Sequence, residues 1–141
     1  MPGCVLRVES AIAQVERLVE ASRLRPVSIY RKGQPRVPGA RSLSRMSGYN
    51  VDVSHLAGIK EQARDAIRFL KRHNADLHRL RRHKSYRGMT LDFGLYDRAT
   101  KDRPWPTYRL PAELIELGGK LRIEIELSFY GVEPGEGGNA S

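Results

Sequence analysis

The sequence predicts an α+β fold, a two-layer sandwich in which a mostly antiparallel sheet of about five strands carries helices on one face. Three observations lead there. Short segments alternate apolar and polar side chains with a period of two, as strands with one wet face do. Longer segments between them place apolar residues at helical spacing. Their order along the chain, β-α-β-β-α-β-α-β, is ferredoxin-like.

The first strand is "CVLRVES" (4–10), with Cys4, Leu6 and Val8 on one face. Ser10 is a candidate cap for the next helix, where Ile12, Val15, Leu18 and Val19 recur at helical spacing. Pro26 ends that helix, Val27 and Ile29 open a second strand, and Gly33 turns it. Residues 33–46 show no periodicity and read as a loop. "SGYNVDVS" (47–54) alternates through Tyr49, Val51 and Val53, and Ser54 is a candidate cap for a long helix starting near Leu56. Its apolar arc is Leu56, Ile59, Ala63, Ala66, Ile67, Leu70 and Leu77. Asn74 falls inside that arc, so a break near His73–Asn74 is expected.

"MTLDFGLY" (89–96) is a fourth strand with Met89, Leu91, Phe93 and Leu95 inward, followed by a loop over 97–109. Pro111 suits the start of a short helix holding Leu114, Ile115 and Leu117, which Gly118 and Gly119 should terminate. "LRIEIELSFY" (121–130) alternates most cleanly of all. Residues 1–131 therefore form a single domain, and 132–141 read as a disordered Gly-rich tail.

Composition narrows the function classes. A chain of 141 residues with one cysteine has no internal disulfide and fits a reducing compartment. No apolar run approaches the ~20 residues of a membrane span, and the start lacks the pattern of a signal peptide. A cytoplasmic location and no membrane partner are the expectations. The net charge is +9, but it is uneven. Residues 1–67 carry +5, residues 68–87 carry +7 and residues 88–141 carry −3.

The strand–helix start, the "YRKGQP" loop, "SGYNVDVS", the long central helix, "LDFGLY" and "LPAELIELGGKLRIEIELSFY" together resemble the small bacterial family named domain of unknown function 4279. The resemblance spans about residues 4–130 and is mainly architectural; Tyr49 stands where the family is expected to have a tryptophan. The family has no established activity, so the resemblance implies an architecture and a bacterial origin only. Some small families of this kind lie beside toxin genes as immunity proteins, so an immunity or accessory role is what the resemblance suggests.

The stretch from Arg68 to Gly88 holds eight Lys or Arg and one acid, Asp76. It is either the solvated side of a helix or a surface for an acidic partner. Glu61–Arg64, Asp65–Arg68 and Arg72–Asp76 have the spacing of local ion pairs. Those pairs account for three cations and leave Lys60, Lys71, Arg79, Arg81, Arg82, Lys84 and Arg87 over, and the loop from Arg31 to Arg45 adds five cations and no acid. Crowded cations repel one another, which favours an acidic partner. Nucleic acid is the alternative, although Tyr86 is the only nearby stacking group and no helix-turn-helix, RNP or zinc-finger pattern occurs.

Catalytic constellations are not evident. His73, His78 and His83 are five residues apart, which turns successive rings about 140° on one helix and away from a shared metal. Cys4 is expected to be a buried thiol, and Glu124, Glu126 and Asp92 the polar face of strands. Trp105, between two prolines, either lids a core edge or anchors a partner, and the lid is favoured. The sequence thus points to a non-enzymatic protein-binding domain without cofactor or metal. Its candidate partner-binding residues are Lys71, Arg79, Arg81, Arg82, Lys84, Arg87 and Trp105.

Overall fold

The computed structural model describes residues 3–35, 38–96 and 100–130. The tail expected over 132–141 lies outside the described residues. The elements are β1 (Gly3–Ser10), α1 (Val15–Ser22), β2 (Ser28–Tyr30), β3 (Ser47–Ser54), α2 (Ile59–Arg72), α3 (Asn74–Arg81), β4 (Tyr86–Leu95), α4 (Ala112–Lys120) and β5 (Glu124–Phe129).

The strands form one sheet in the order β2-β3-β1-β4-β5. β1 runs antiparallel to both β3 and β4, and β2 runs antiparallel to β3. This is the arrangement of two interleaved β-α-β units, with β1 at the centre because its alternation is the most completely buried. β5 joins β4 in parallel, as a strand reached through a helical crossover must. The sheet is thus mixed, with one parallel edge on an otherwise antiparallel frame.

Register aligns the apolar positions on one face. Leu6 lies between Val51 and Leu91, Val8 between Tyr49 and Met89, and Cys4 faces Phe93. Against them pack Val15 and Leu18 of α1, Ala63, Ala66 and Leu70 of α2, Leu77 and Leu80 of α3, and Leu114 of α4, all fully buried. Leu70 is fully buried while the Arg68 side chain is 71% exposed, so the inward face of the central helix is the one its periodicity marks.

Several local expectations are corrected. Ser10 does not cap α1: its hydroxyl bonds the backbone of Ile12 in a tight turn, and the helix starts only at Val15. Ser54 does not cap α2 either. It accepts the Leu56 N–H at 3.2 Å and donates to Asp65 at 2.7 Å, pinning the strand exit to the helix flank. Leu56 is 43% exposed and precedes the helix, which begins where the Glu61 carboxylate folds back over Gly58. The expected break is present, since α2 ends at Arg72 and α3 starts at Asn74.

Gly118 and Gly119 do not stop α4. The helix runs through both to Lys120 and closes with Ile123 N–H donating to Gly118 O (2.8 Å) and Arg122 N–H to Gly119 O (3.1 Å). This double closure requires a left-handed residue, and it is Arg122, at φ 53°, that takes the position. β5 consequently begins at Glu124, not at Leu121.

Candidate anion-binding site

The strand directions bring the exit of β1 and the entries of β3, β4 and β5 to the same end of the sheet. The loop over 31–46 and the turn over 82–85 meet there. The loop is not structureless: Gly33 N–H donates to Ser44 O, Ser44 N–H to Gln34 O, and Pro35 bridges Leu43. Lys32 N–H donates to Ser47 Oγ at 2.9 Å. Gly33, at φ 83°, supplies the turn. The segment is thereby held at its base, and Lys32 and Arg45 are carried to the sheet end. Ala11 N–H donates to Ser85 O, which ties the β1 exit to the β4 entry.

Arg87 sits in a bulge of β4. Glu9 pairs with Gly88 and Ser10 with Tyr86, so Arg87 is the extra residue between them. A bulge re-aims the side chain it carries. Arg87 lines a groove of about 530 Å³ together with Lys32, Arg45, Gly33, Met46 and residues 10–13, with no acid in its wall. It also lines a second cleft, of about 280 Å³, with Arg81, Arg122, Tyr86, Glu9 and Glu124. The two openings share Arg87 and form one basic region.

Among the described residues, Lys32, Arg45, Arg87 and Arg122 make no ion pair within 4 Å. Arg81 donates to Lys120 O at 3.2 Å, which fixes its guanidinium at the cleft without neutralising it. Burial raises the Tyr86 phenol above its ordinary range, with Arg81 lowering it and Glu9 raising it, so the hydroxyl stays neutral between the two charges.

The other basic candidates separate from this region. Lys71 is not unpaired: it reaches Glu113 across the α2–α4 contact. Arg79 is paired to Asp76 at 2.9 Å, displacing the expected Arg72–Asp76 pair. Lys71 has no acid at helical spacing and tertiary packing supplies one, whereas Arg79 takes the i,i+3 acid that was expected to pair with Arg72. In the loop, Arg31 pairs with Glu16 of α1. Arg36 lies outside the described residues. Arg82 and Lys84 are exposed in the turn between α3 and β4. Trp105 is 80% exposed, so it covers no core edge and the lid expectation fails; Thr107 and Tyr108 line the nearby cavity beside α2 instead.

The open face of the sheet has the opposite charge. Glu9, Asp52, Asp92, Glu124 and Glu126 lie on it around Arg7, and Glu9 and Glu124 also reach the wall of the smaller cleft. Arg7 contacts Glu126 at 3.2 Å and Asp92 at 3.6 Å, and Ser128 donates to Asp92 at 2.6 Å. Asp92 and Glu126 are therefore engaged in cross-strand contacts. Cys4 is fully buried, and burial, then Asp92 and Asp65, push its thiol far above the reactive range. No group of three His, Cys, Asp or Glu side chains among the described residues could hold a metal. No helix among them is long and apolar enough to cross a membrane.

Sequence reasoning named Arg81 and Arg87 but missed Lys32, Arg45 and Arg122 as site residues. The acid-free run from Arg31 to Arg45 was the available signal for the first two. Nothing local marks Arg122, whose place follows from the α4 closure. No protein-family model matches this chain, and no curated protein or solved structure matches it either.

Proposed function

We propose that this protein is a non-enzymatic binding module of immunity or accessory type, which docks an acidic protein surface at the basic end of its sheet. The observation that carries the reading is the acid-free groove lined by Lys32, Arg45 and Arg87, cations that folding leaves without ion-pair partners. Bringing like charges together costs free energy that an acidic ligand recovers. A protein surface is favoured over nucleic acid by the stacking inventory. Among the described residues, the groove wall holds no aromatic side chain and the adjoining cleft only one, the half-buried Tyr86, while the open sheet face carries excess carboxylates that repel a phosphate backbone.

The test is binding of fluorescent poly-glutamate, compared with duplex DNA and single-stranded RNA of equal charge, across a salt series. Wild type should bind poly-glutamate with an affinity that falls as salt rises. Arg45→Glu with Arg87→Glu should lower it at least tenfold without moving the melting temperature. Equal binding by the double variant would refute the site, and tighter binding to nucleic acid at physiological salt would refute the partner class.

A further inference from the structure

β5 ends the sheet, and its edge is unusually apolar for a strand with one free side. Leu127 is 36% exposed, Phe129 55% and the following Tyr130 50%, while Ile115 of the overlying α4 is 50% exposed. The strand has neither the proline nor the lysine that commonly blunt an edge against pairing. Tyr130 N–H donates to Leu95 O at 2.9 Å, toward β4. By alternation, Glu124, Glu126 and Ser128 also turn their backbone groups to β4. Ile125, Leu127 and Phe129 turn theirs outward.

We propose that this edge joins two copies of the chain. β5 pairs antiparallel with β5 of the second copy about a two-fold axis at Leu127, continuing the sheet across the dimer. The side-chain pattern selects the register. Directly opposite residues in an antiparallel pair share a face. An axis at Leu127 sets Ile125 opposite Phe129 on the helix-covered face, and Glu126 opposite Ser128 on the open face. The outward backbone groups of Ile125, Leu127 and Phe129 then all meet in hydrogen-bonded pairs.

Neighbouring registers are worse. An axis at Glu126 brings the two Glu126 carboxylates side by side, and one at Ile125 sets Glu124 against Glu126, both destabilising arrangements. An axis at Ser128 leaves Ile125 beyond the paired stretch. The contact is isologous, so it closes at two copies and does not propagate. It also covers Leu127 and Phe129, which the chain's own helices leave open.

Analytical ultracentrifugation and engineered cross-linking test the proposal together. Opposite residues in a hydrogen-bonded antiparallel pair have Cα atoms about 5.5 Å apart, inside the ~4.4–6.8 Å range of a disulfide. Leu127→Cys should therefore oxidise to a linked dimer, while Phe129→Cys, whose counterpart across the axis is Ile125, should not. The native Cys4 is fully buried and does not compete. Wild type should sediment at twice the chain mass, and Leu127→Lys, which opposes two cations on the axis, at the chain mass. A wild type that stays monomeric at its highest soluble concentration would overturn the proposal. So would Phe129→Cys cross-linking as readily as Leu127→Cys.

Discussion

The open sheet face and the basic sheet end carry opposite charge, and they differ more in how that charge is handled than in its sign. On the open face Arg7 lies between Asp92 and Glu126, with Ser128 completing the shell of Asp92. The side chains of Arg7 and Asp92 are only 19% and 17% exposed, so these contacts are partly shielded from water. At the basic end, Lys32, Arg45, Arg87 and Arg122 face clefts and, among the described residues, have no partner within ion-pair distance. Charges that folding pairs serve the fold. Charges that folding gathers and leaves open are the ones the proposed acidic partner would engage. Charge density along the sequence does not separate these cases, as Lys71 and Arg79 demonstrate.

Breaking the paired side should give the largest effect on stability. Arg7→Ala removes the shared partner of two carboxylates and should cost about 1–3 kcal/mol in urea denaturation. Arg45→Glu with Arg87→Glu should fall within about 0.5 kcal/mol of wild type. Equal losses in the two variants would erase the distinction between the regions.

Arg122 tests it further, because the same residue carries a structural cost and lines the cleft of the proposed site. A side chain in the left-handed region is strained by roughly 1–2 kcal/mol, and glycine removes that strain at a cost in chain entropy. Arg122→Gly should raise stability by about 0.5–1 kcal/mol and weaken poly-glutamate binding. A stabilised variant with undiminished binding would exclude Arg122 from the site.

The smallest effect concerns pH, in the cleft lined by Arg68, Arg72 and His73. Burial, and then the neighbouring Arg72, hold His73 below its ordinary imidazole value, while Asp76 opposes them. The unfolded chain then takes up this proton more readily than the folded one. The contribution is complete above about pH 6.5 and is lost as pH falls below it toward the lower folded value. His73→Gln should flatten this shallow decline in urea midpoints between neutral and mildly acidic pH. An unchanged slope would assign the decline to other groups.

Element order, sheet type and buried faces were legible in the residues alone, because side-chain alternation and helical spacing are local and repeat over many residues. Leu6, Leu70, Leu91 and Phe93 were legible as core in this way, and so was the break at Asn74. Caps were less legible: Ser10 and Ser54 have the right chemistry for capping, but their hydroxyls are taken by Ile12, Leu56 and Asp65. The glycines of α4 misled for a related reason, since the left-handed residue of its closure is set by where the chain must turn into β5. Which of the described cations stay unpaired follows from packing between distant elements. Lys71 meets an acid some forty positions away, and Lys32 and Arg45 join Arg87 through strand pairing between distant segments. Ion pairing depends on distance in space, which residue spacing fixes within one helix and leaves open between elements.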